Sequence, residues 1–193
     1  HAREAGLGRK LKLYQRGRGL ALGVETIYWT FDPLEAKNAH LNFNKLGANI
    51  DGYVADMYVD SDSVLHRGLA MDRFIIAWHI ASERVKRALT GTSPAVWPAV
   101  EQAPVAHTRQ QTGHDFVPTA ADFPLADVVR VEIPADIQQL KTAAMAEAVQ
   151  WRFSTRAAFL FYQQRGYEVD GFYRQPESGR CFYVLAAPHS SKA

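Results

Sequence analysis

The sequence predicts a mixed α/β fold in which helices pack against a twisted sheet. Nearly every residue of 24–31 is β-branched or aromatic, which is typical of a buried strand. Residues 32–47 carry the start and stop signals of a helix that ends at Gly47, and a second strand is predicted at 50–58. The order helix, glycine and strand returns around Gly166, so both halves of the chain contribute helices and strands.

The composition restricts the class of protein. With 47% hydrophobic residues, a chain of 193 residues buries a sizeable core and has room for one large or two small domains. A net charge of +2 favours no particular partner, and a single cysteine, Cys181, is typical of a reducing compartment. No apolar run approaches the roughly 20 residues of a membrane span, and no secretory signal is visible. We therefore expect a cytoplasmic protein without a membrane partner.

The chain opens with a glycine turn that leads directly into a helix. Gly6 and Gly8 let the backbone bend tightly and leave room for a ligand beside the first N–H groups of that helix. These N–H groups and the helix dipole form an anion site, to which neighbouring basic side chains add charge. The pattern favours a diphosphate site, and a helix behind a flexible turn is the alternative. The residues predicted to form the site are Arg3, Glu4, Ala5, Gly6, Leu7, Gly8, Arg9 and Lys10.

The first helix carries an apolar stripe at helical spacing, formed by Leu7, Leu11, Tyr14 and Ala21. We predict that this stripe packs on the sheet, that the basic face stays in solvent, and that the helix ends by residue 23.

A strong helix start follows the first strand. Asp32 has the N-cap position, Pro33 the first helical position and Glu35 the third position after the cap. This helix is predicted to run to Leu46 and to end at Gly47.

The middle of the chain predicts a strand at 73–80 and a short basic helix at 83–89, capped by Ser82. His79, inside the apolar strand, is interpreted as structural. The proline-rich residues 91–126 are predicted to be a linker. The linker histidines, which we expect to face solvent rather than to bind a metal, are His107 and His114.

The last third of the chain predicts a strand at 128–133, a helical tract from 137 that breaks near 154–155, and a hairpin over 167–187. When Gly166 is aligned with Gly47, the flanking helix, the Asp-Gly pair and the strand coincide as well. Chance similarity is one explanation, and the shared Asp-Gly favours a duplicated unit.

The order Arg3-x-x-Gly6-x-Gly8, helix, strand, helix ending in Gly47, strand resembles the second half of the GNAT acyltransferase superfamily over residues 1–58. The sequence from Trp29 to Gly47 is similar to that of a bacterial branch of predicted GNAT enzymes. Relatives of that branch are associated with acylation of amino acids, including N-succinylation. The resemblance implies a GNAT-type mixed twisted sheet flanked by helices. It also implies that the glycine turn holds the pyrophosphate of acetyl-CoA or another acyl-CoA, without a metal.

The resemblance extends to two positions of the second helix. Asn38 is implied to contact the pantetheine arm of the acyl-CoA. Family members often place a tyrosine at the position of Phe43 to protonate the leaving thiolate, and a phenyl ring cannot do so. In the internal alignment, Tyr162 takes this position. Tyr162 is interpreted either as the acid of a composite site or, preferably, as a structural residue.

A complete GNAT domain has several strands and helices before its glycine turn, so the chain resembles the C-terminal part of a longer protein. We predict the C-terminal half of an acyl-CoA-binding domain at 1–90, the linker at 91–126 and a second, degenerate GNAT-like unit at 127–193. The second unit is expected to form part of the substrate wall or the surface of a homodimer.

The expected function is transfer of an acetyl or succinyl group from acyl-CoA to a primary amine, with an amino acid as one candidate. Glu25 and His40 are candidate bases. Arg152 and Arg156 are candidates to hold a substrate carboxylate, and ion pairs with Glu147, Glu132 or Asp136 are the alternative. A non-enzymatic CoA-binding or assembly module is the rival function. Nucleic acid is not an expected partner, because the basic first helix has no basic stripe beside it.

Overall fold

A computed structural model describes residues 6–57, 70–91, 98–106 and 120–188. The first part begins with helix α1 (Leu7–Ala21) and strand β1 (Thr26–Phe31). Helix α2 (Ala36–Ala39) continues without interruption into a π-helix (His40–Lys45). Strands β2 (Asn49–Val54) and β3 (Arg73–His79) follow, and β3 lies between β1 and β2 in an antiparallel three-stranded sheet.

The second part forms a four-stranded sheet. Its strands are β4 (Val105–Ala106), β5 (Val128–Ile133), β6 (Glu168–Arg174) and β7 (Cys181–Ala186), in the order β4-β5-β7-β6. β4 is parallel to β5, and the other pairs are antiparallel. The helices are α3 (Glu83–Thr90), α4 (Pro98–Gln102), α5 (Ile137–Ala143) and α6 (Met145–Gln163). The predicted mixed class of helices and strands is therefore confirmed.

The two parts share a local topology. Each has a strand, a helical segment and a hairpin whose last strand lies between the other two. The helical segment ends at a glycine in the left-handed region, with φ of 65° at Gly47 and 74° at Gly166. A bulge follows in both hairpins, between Ile50 and Gly52 and between Val169 and Gly171. The similarity read from the sequence thus corresponds to the same turn and the same bulge.

One apolar core joins the two sheets. The ring of Phe74, on β3, lies 4.9 Å from the ring of Phe159 on α6 and 5.3 Å from the ring of Tyr183 on β7. Tyr183 is fully buried, and its hydroxyl donates to the carbonyl of Pro33 at 2.7 Å. Burial raises the pKa of this phenol well above its ordinary value. Both parts therefore depend on a common interior.

The predicted packing of α1 is wrong. Leu7, Leu11 and Tyr14 are 47%, 60% and 71% exposed. The opposite side faces the sheet: a Cβ on buried Gly19 would lie 3.0 Å from Cδ1 of Ile80, and Arg16 Nε donates to the carbonyl of Ile80 at 2.7 Å. A small residue lets the helix approach closely, and long basic side chains reach the sheet beside it.

Two predicted helix boundaries are also wrong. Asp32 does not cap α2; its side chain accepts from the N–H of Leu34, and the helix begins four residues after Asp32, at Ala36. The helical tract breaks at Ala144, not near 154–155. Thr155 lies inside α6, where its hydroxyl donates back to the carbonyl of Trp151 at 2.6 Å.

The other predicted strands and α3 lie within two residues of the expected bounds, except that β2 ends at Val54 and not at 58. Ser82 caps α3, since its hydroxyl accepts from the N–H of Val85 at 3.3 Å. The predicted linker contains α4, β4 and a 3-10 turn (Ala120–Asp122), whereas His107 and His114 lie outside the described residues. In the described ranges, no helix combines the length and apolar character needed to cross a bilayer.

Candidate functional site

A cavity of about 840 Å³ lies where the π-helix, α3 and β6 meet. Arg9 of α1 lines it beside the backbone of α3, and Phe172 and Tyr173 of β6 line it from the second sheet. Both halves of the chain therefore contribute to its wall. Its volume falls in the range of cavities that bind cofactors and other small molecules.

The wall of this cavity is positively charged. Among the described residues, its ionised side chains are four cations against one carboxylate, a net charge of +3: Arg9, Lys45, Arg84 and Arg87 against Asp170. The carboxylate is engaged, because Arg84 Nη1 donates to Asp170 Oδ1 at 3.0 Å and Arg84 Nη2 donates to the Asp170 carbonyl at 2.5 Å. A cavity with this excess of cations attracts an anionic ligand.

The surroundings of His40 lower the pKa of its imidazole. The residue lines the cavity at the first position of the π-helix. Burial lowers the pKa of its imidazole, and the charges of Lys45 and Arg174 lower it further. His40 is nevertheless exposed to solvent, and its lowered pKa favours the neutral form at pH 7, in which one ring nitrogen accepts a proton.

The π-helix gives the cavity one of its walls. Such segments are rare and occur frequently at functional sites. Phe43 is buried, packs edge-on against Tyr183 at 5.9 Å and also lines the cavity. Asn44 lines it as well, and its Nδ2 donates to the carbonyl of Phe172 at 3.0 Å. This hydrogen bond fixes the π-helix against the second sheet.

The glycine turn lies beside the π-helix. Gly6 has φ 63° and ψ 22°, and the first intrahelical bond runs from the Lys10 N–H to the Gly6 carbonyl at 3.1 Å. In the described part of the chain no side chain caps this end, so the amides of Leu7, Gly8 and Arg9 have no partner within the helix. A Cβ on Gly8 would lie 3.6 Å from Leu41 Cδ2 of the π-helix.

Arg9 connects this turn with the cavity. Its Nη2 donates to the carbonyl of Leu89 at 3.0 Å, near the end of α3. Gly6, Leu7, Gly8 and Lys10 are exposed, so the amide end of α1 is open rather than covered by side chains. Three of the predicted diphosphate-binding residues, Arg3, Glu4 and Ala5, lie outside the described residues.

Gly47 sets the position of α3 over the π-helix. A Cβ at this residue would lie 2.8 Å from the Arg84 carbonyl oxygen and 2.9 Å from the Ala88 Cβ. Only a residue without a side chain permits this approach at a positive φ. The close contact brings Arg84 and Arg87 to the cavity.

The remaining predicted site residues lie elsewhere. Asn38 is exposed on α2, and Glu25 is exposed before β1; neither lines the cavity. Tyr162 is buried on α6, where its hydroxyl donates to the carbonyl of Pro124 at 2.9 Å. Burial raises the pKa of this phenol, which favours the structural interpretation of Tyr162.

Arg152 and Arg156 both form ion pairs within the protein, although with other partners than those predicted. Arg152 is buried and donates from Nη2 to Asp32 Oδ2 at 2.6 Å. Arg156 donates to both carboxylate oxygens of Asp56, each at 2.9 Å, and from Nε to Asp72 Oδ2 at 3.0 Å. These guanidinium groups connect α6 to the first sheet.

Sequence reasoning missed four charged residues of the cavity. Lys45 belongs to the helix before Gly47, Arg84 and Arg87 to the basic helix α3, and Asp170 to the repeated Asp-Gly pair. The basic character of residues 83–89 and the repeat were visible signals. Neither signal indicated that the two segments meet.

Comparisons with known proteins find no relative: no family model, no curated protein and no solved structure matches the chain. Function is therefore inferred from the geometry of the cavity and from the motif in residues 3–8.

Proposed function

We propose that the protein is an acyl-CoA-dependent N-acyltransferase that moves an acetyl or succinyl group to a primary amine, with amino acids as the acceptor class. One observation carries the proposal: α1 begins after left-handed Gly6 with open amides, and Arg9 of the same turn lines a cavity whose described side chains carry a net charge of +3. A diphosphate accepts hydrogen bonds from the amides of Leu7, Gly8 and Arg9 and gains from the helix dipole.

The reaction needs few groups from the protein once the thioester is in place. The neutral amine attacks the thioester carbonyl, the C–N bond forms, and the C–S bond breaks with its electron pair on sulfur. A proton leaves the attacking nitrogen during this step and must reach a base. His40 is the candidate that lines the cavity, where its lowered pKa favours the neutral form. The thiolate is a good leaving group and departs without an acid at Phe43.

A matched pair of glycine variants tests the binding part of the proposal. Gly8→Asp places a carboxylate at the amide end of α1, and Gly17→Asp places the same charge at an exposed position farther along the helix. A Cβ meets only ordinary contact at Gly8 and open space at Gly17, so both variants fold. Repulsion lowers CoA affinity about tenfold or more in Gly8→Asp. Equal affinities in the two variants, by calorimetry, would overturn the proposed diphosphate site.

The rival function, a CoA-binding module without catalysis, is favoured by Phe43 in place of the family's tyrosine. The two functions differ in the release of thiol. The enzyme liberates free CoA from acetyl-CoA or succinyl-CoA when amino acids are present, and the thiol is measured colorimetrically. CoA binding with no release over a panel of primary amines would identify the module instead.

A further inference from the structure

A second cavity, of about 370 Å³, lies where β2, β3, β6 and α6 meet. Both halves of the chain line it, as they do the first cavity. Its apolar lining includes the buried side chains of Phe74, Phe159 and Leu185. Its volume is sufficient for a small organic molecule. The function proposed above makes no use of this cavity.

The internal repeat relates the second cavity to the first. The first is lined by the π-helix of the first part and by the bulged strand β6 of the second part. The second is lined by α6 of the second part and by the bulged strand β2 of the first part. In the internal alignment, Asp170 of the first cavity corresponds to Asp51 of the second. The second cavity is therefore the structural equivalent of the candidate site.

The two equivalent cavities have opposite charges. In the first, Arg84 of α3 neutralises Asp170 at 3.0 Å. In the second, the ionised side chains among the described residues are Asp51 and Glu168, a net charge of −2 with histidine counted as neutral. Its one histidine, His79, is hydrogen-bonded through Nδ1 to the hydroxyl of Thr26 at 3.0 Å. The second cavity therefore attracts a cation, whereas the first attracts an anion.

We infer that the second cavity binds a small organic amine in its protonated form, with the ammonium group at Asp51 and Glu168 and the apolar body against the buried lining. An alkylammonium has a pKa of about 10, so it is a cation at neutral pH. It donates charge-assisted hydrogen bonds to carboxylates, and the apolar lining binds its carbon skeleton. The inference goes beyond the proposed function, because it concerns a different cavity and assigns no bond-forming step to it.

The test uses phenethylamine, a cation at neutral pH, and 2-phenylethanol, an uncharged molecule of similar shape. Each is titrated into the whole ¹⁵N-labelled chain without CoA. Nuclear magnetic resonance follows the backbone amides of Gly52 and Gly171, which have equivalent positions in the two cavities. Phenethylamine shifts the Gly52 signal until it saturates and leaves the Gly171 signal in place. It binds about fivefold or more tightly than 2-phenylethanol, because only the amine pairs with the carboxylates.

Variants of the carboxylates separate charge from shape. Asp51→Asn/Glu168→Gln lowers the affinity for phenethylamine to that for 2-phenylethanol and leaves the binding of 2-phenylethanol unchanged. The control is Glu177→Gln, at an exposed glutamate that lines neither cavity, and it leaves both affinities unchanged.

Three results would overturn the inference. They are equal affinity of the wild-type protein for the two probes, a shift of Gly171 in place of Gly52, and an equal loss in Glu177→Gln. None of them bears on the proposed diphosphate site, which is tested with CoA alone.

Discussion

Gly47 and Gly166 show how equivalent residues acquire different roles from their surroundings. Both end a helical segment at a positive φ, where an L-residue is strained. The space for a Cβ differs: at Gly47 the nearest atom is a backbone oxygen of α3 at 2.8 Å, and at Gly166 it is Pro188 Cγ at 3.4 Å. Gly47 is therefore needed for its conformation and for the approach of a second helix.

We predict that Gly47→Ala lowers the free energy of unfolding more than Gly166→Ala. The left-handed backbone costs each variant about 1–2 kcal/mol. Displacement of α3 adds about 1–3 kcal/mol in Gly47→Ala only. Urea denaturation monitored by circular dichroism measures both values. Equal destabilisation of the two variants would show that α3 does not depend on this contact.

His40 predicts a specific pH dependence of stability. Its pKa in the folded protein lies below the ordinary value of 6.5, because burial and two cations oppose its protonation. As the pH falls through 6.5, the imidazole of the unfolded chain takes up a proton before that of the folded protein. The free energy of unfolding therefore falls as the pH falls. The wild-type protein should lose more stability between pH 7 and pH 5 than His40→Gln. Parallel pH profiles of the two proteins in thermal denaturation would contradict this assignment.

At the scale of elements, local signals predicted the strands and the cap of α3, because those depend on neighbours in sequence. The orientation of α1 was not predictable in this way. Its spacing of Leu7, Leu11 and Tyr14 indicates an apolar stripe, but the sheet accepts the side that contains Gly19. Close approach at a glycine depends on the shape of the surface it meets, and a periodicity argument contains no such information.

The orientation of α1 leads to two predictions in which an apolar residue contributes less to the stability of the fold than a basic residue does. Leu11→Gln should change the free energy of unfolding by less than about 0.5 kcal/mol, because Leu11 is exposed. Arg16→Ala should cost about 1 kcal/mol or more, since it removes the hydrogen bond to the Ile80 carbonyl. Chemical denaturation measures both. A larger loss in Leu11→Gln would place the apolar stripe against the sheet after all.

The helix start that the sequence predicts at Asp32 shows a second limit of sequence reasoning. The local pattern is that of an N-cap, but the Asp32 carboxylate binds Arg152, 120 residues away, as well as the nearby Leu34 amide. The distant partner Arg152 thus holds the carboxylate that the local pattern assigns to the start of α2. The cavity has the same origin: its cations come from three helical segments that meet only in the fold.

At the scale of the whole molecule, the two parts are joined through buried charge as well as through the apolar core. Asp72 is fully buried and binds Arg156 of α6, which also holds Asp56. Tyr53 donates its hydroxyl to Asp72 as well. Removal of the guanidinium would leave the Asp72 charge enclosed without its main partner.

Arg156→Ala is therefore expected to destabilise the protein by about 3–5 kcal/mol. The matched control is Arg180→Ala, which breaks an ion pair with Glu132 in which the arginine is 49% exposed, and it should cost no more than about 1 kcal/mol. Equilibrium denaturation of both variants gives the comparison. Similar losses would mean that the Arg156 network does not connect the two parts energetically.

The central claim is that the open amides of α1 bind the diphosphate of CoA. The most direct measurement is a nuclear magnetic resonance titration of the ¹⁵N-labelled protein with CoA, following the backbone amides of Gly8, Arg9 and Gly17. The amides of Gly8 and Arg9 should shift downfield and saturate with the ligand, while that of Gly17 stays in place. Unchanged Gly8 and Arg9 signals at saturating CoA would contradict the account.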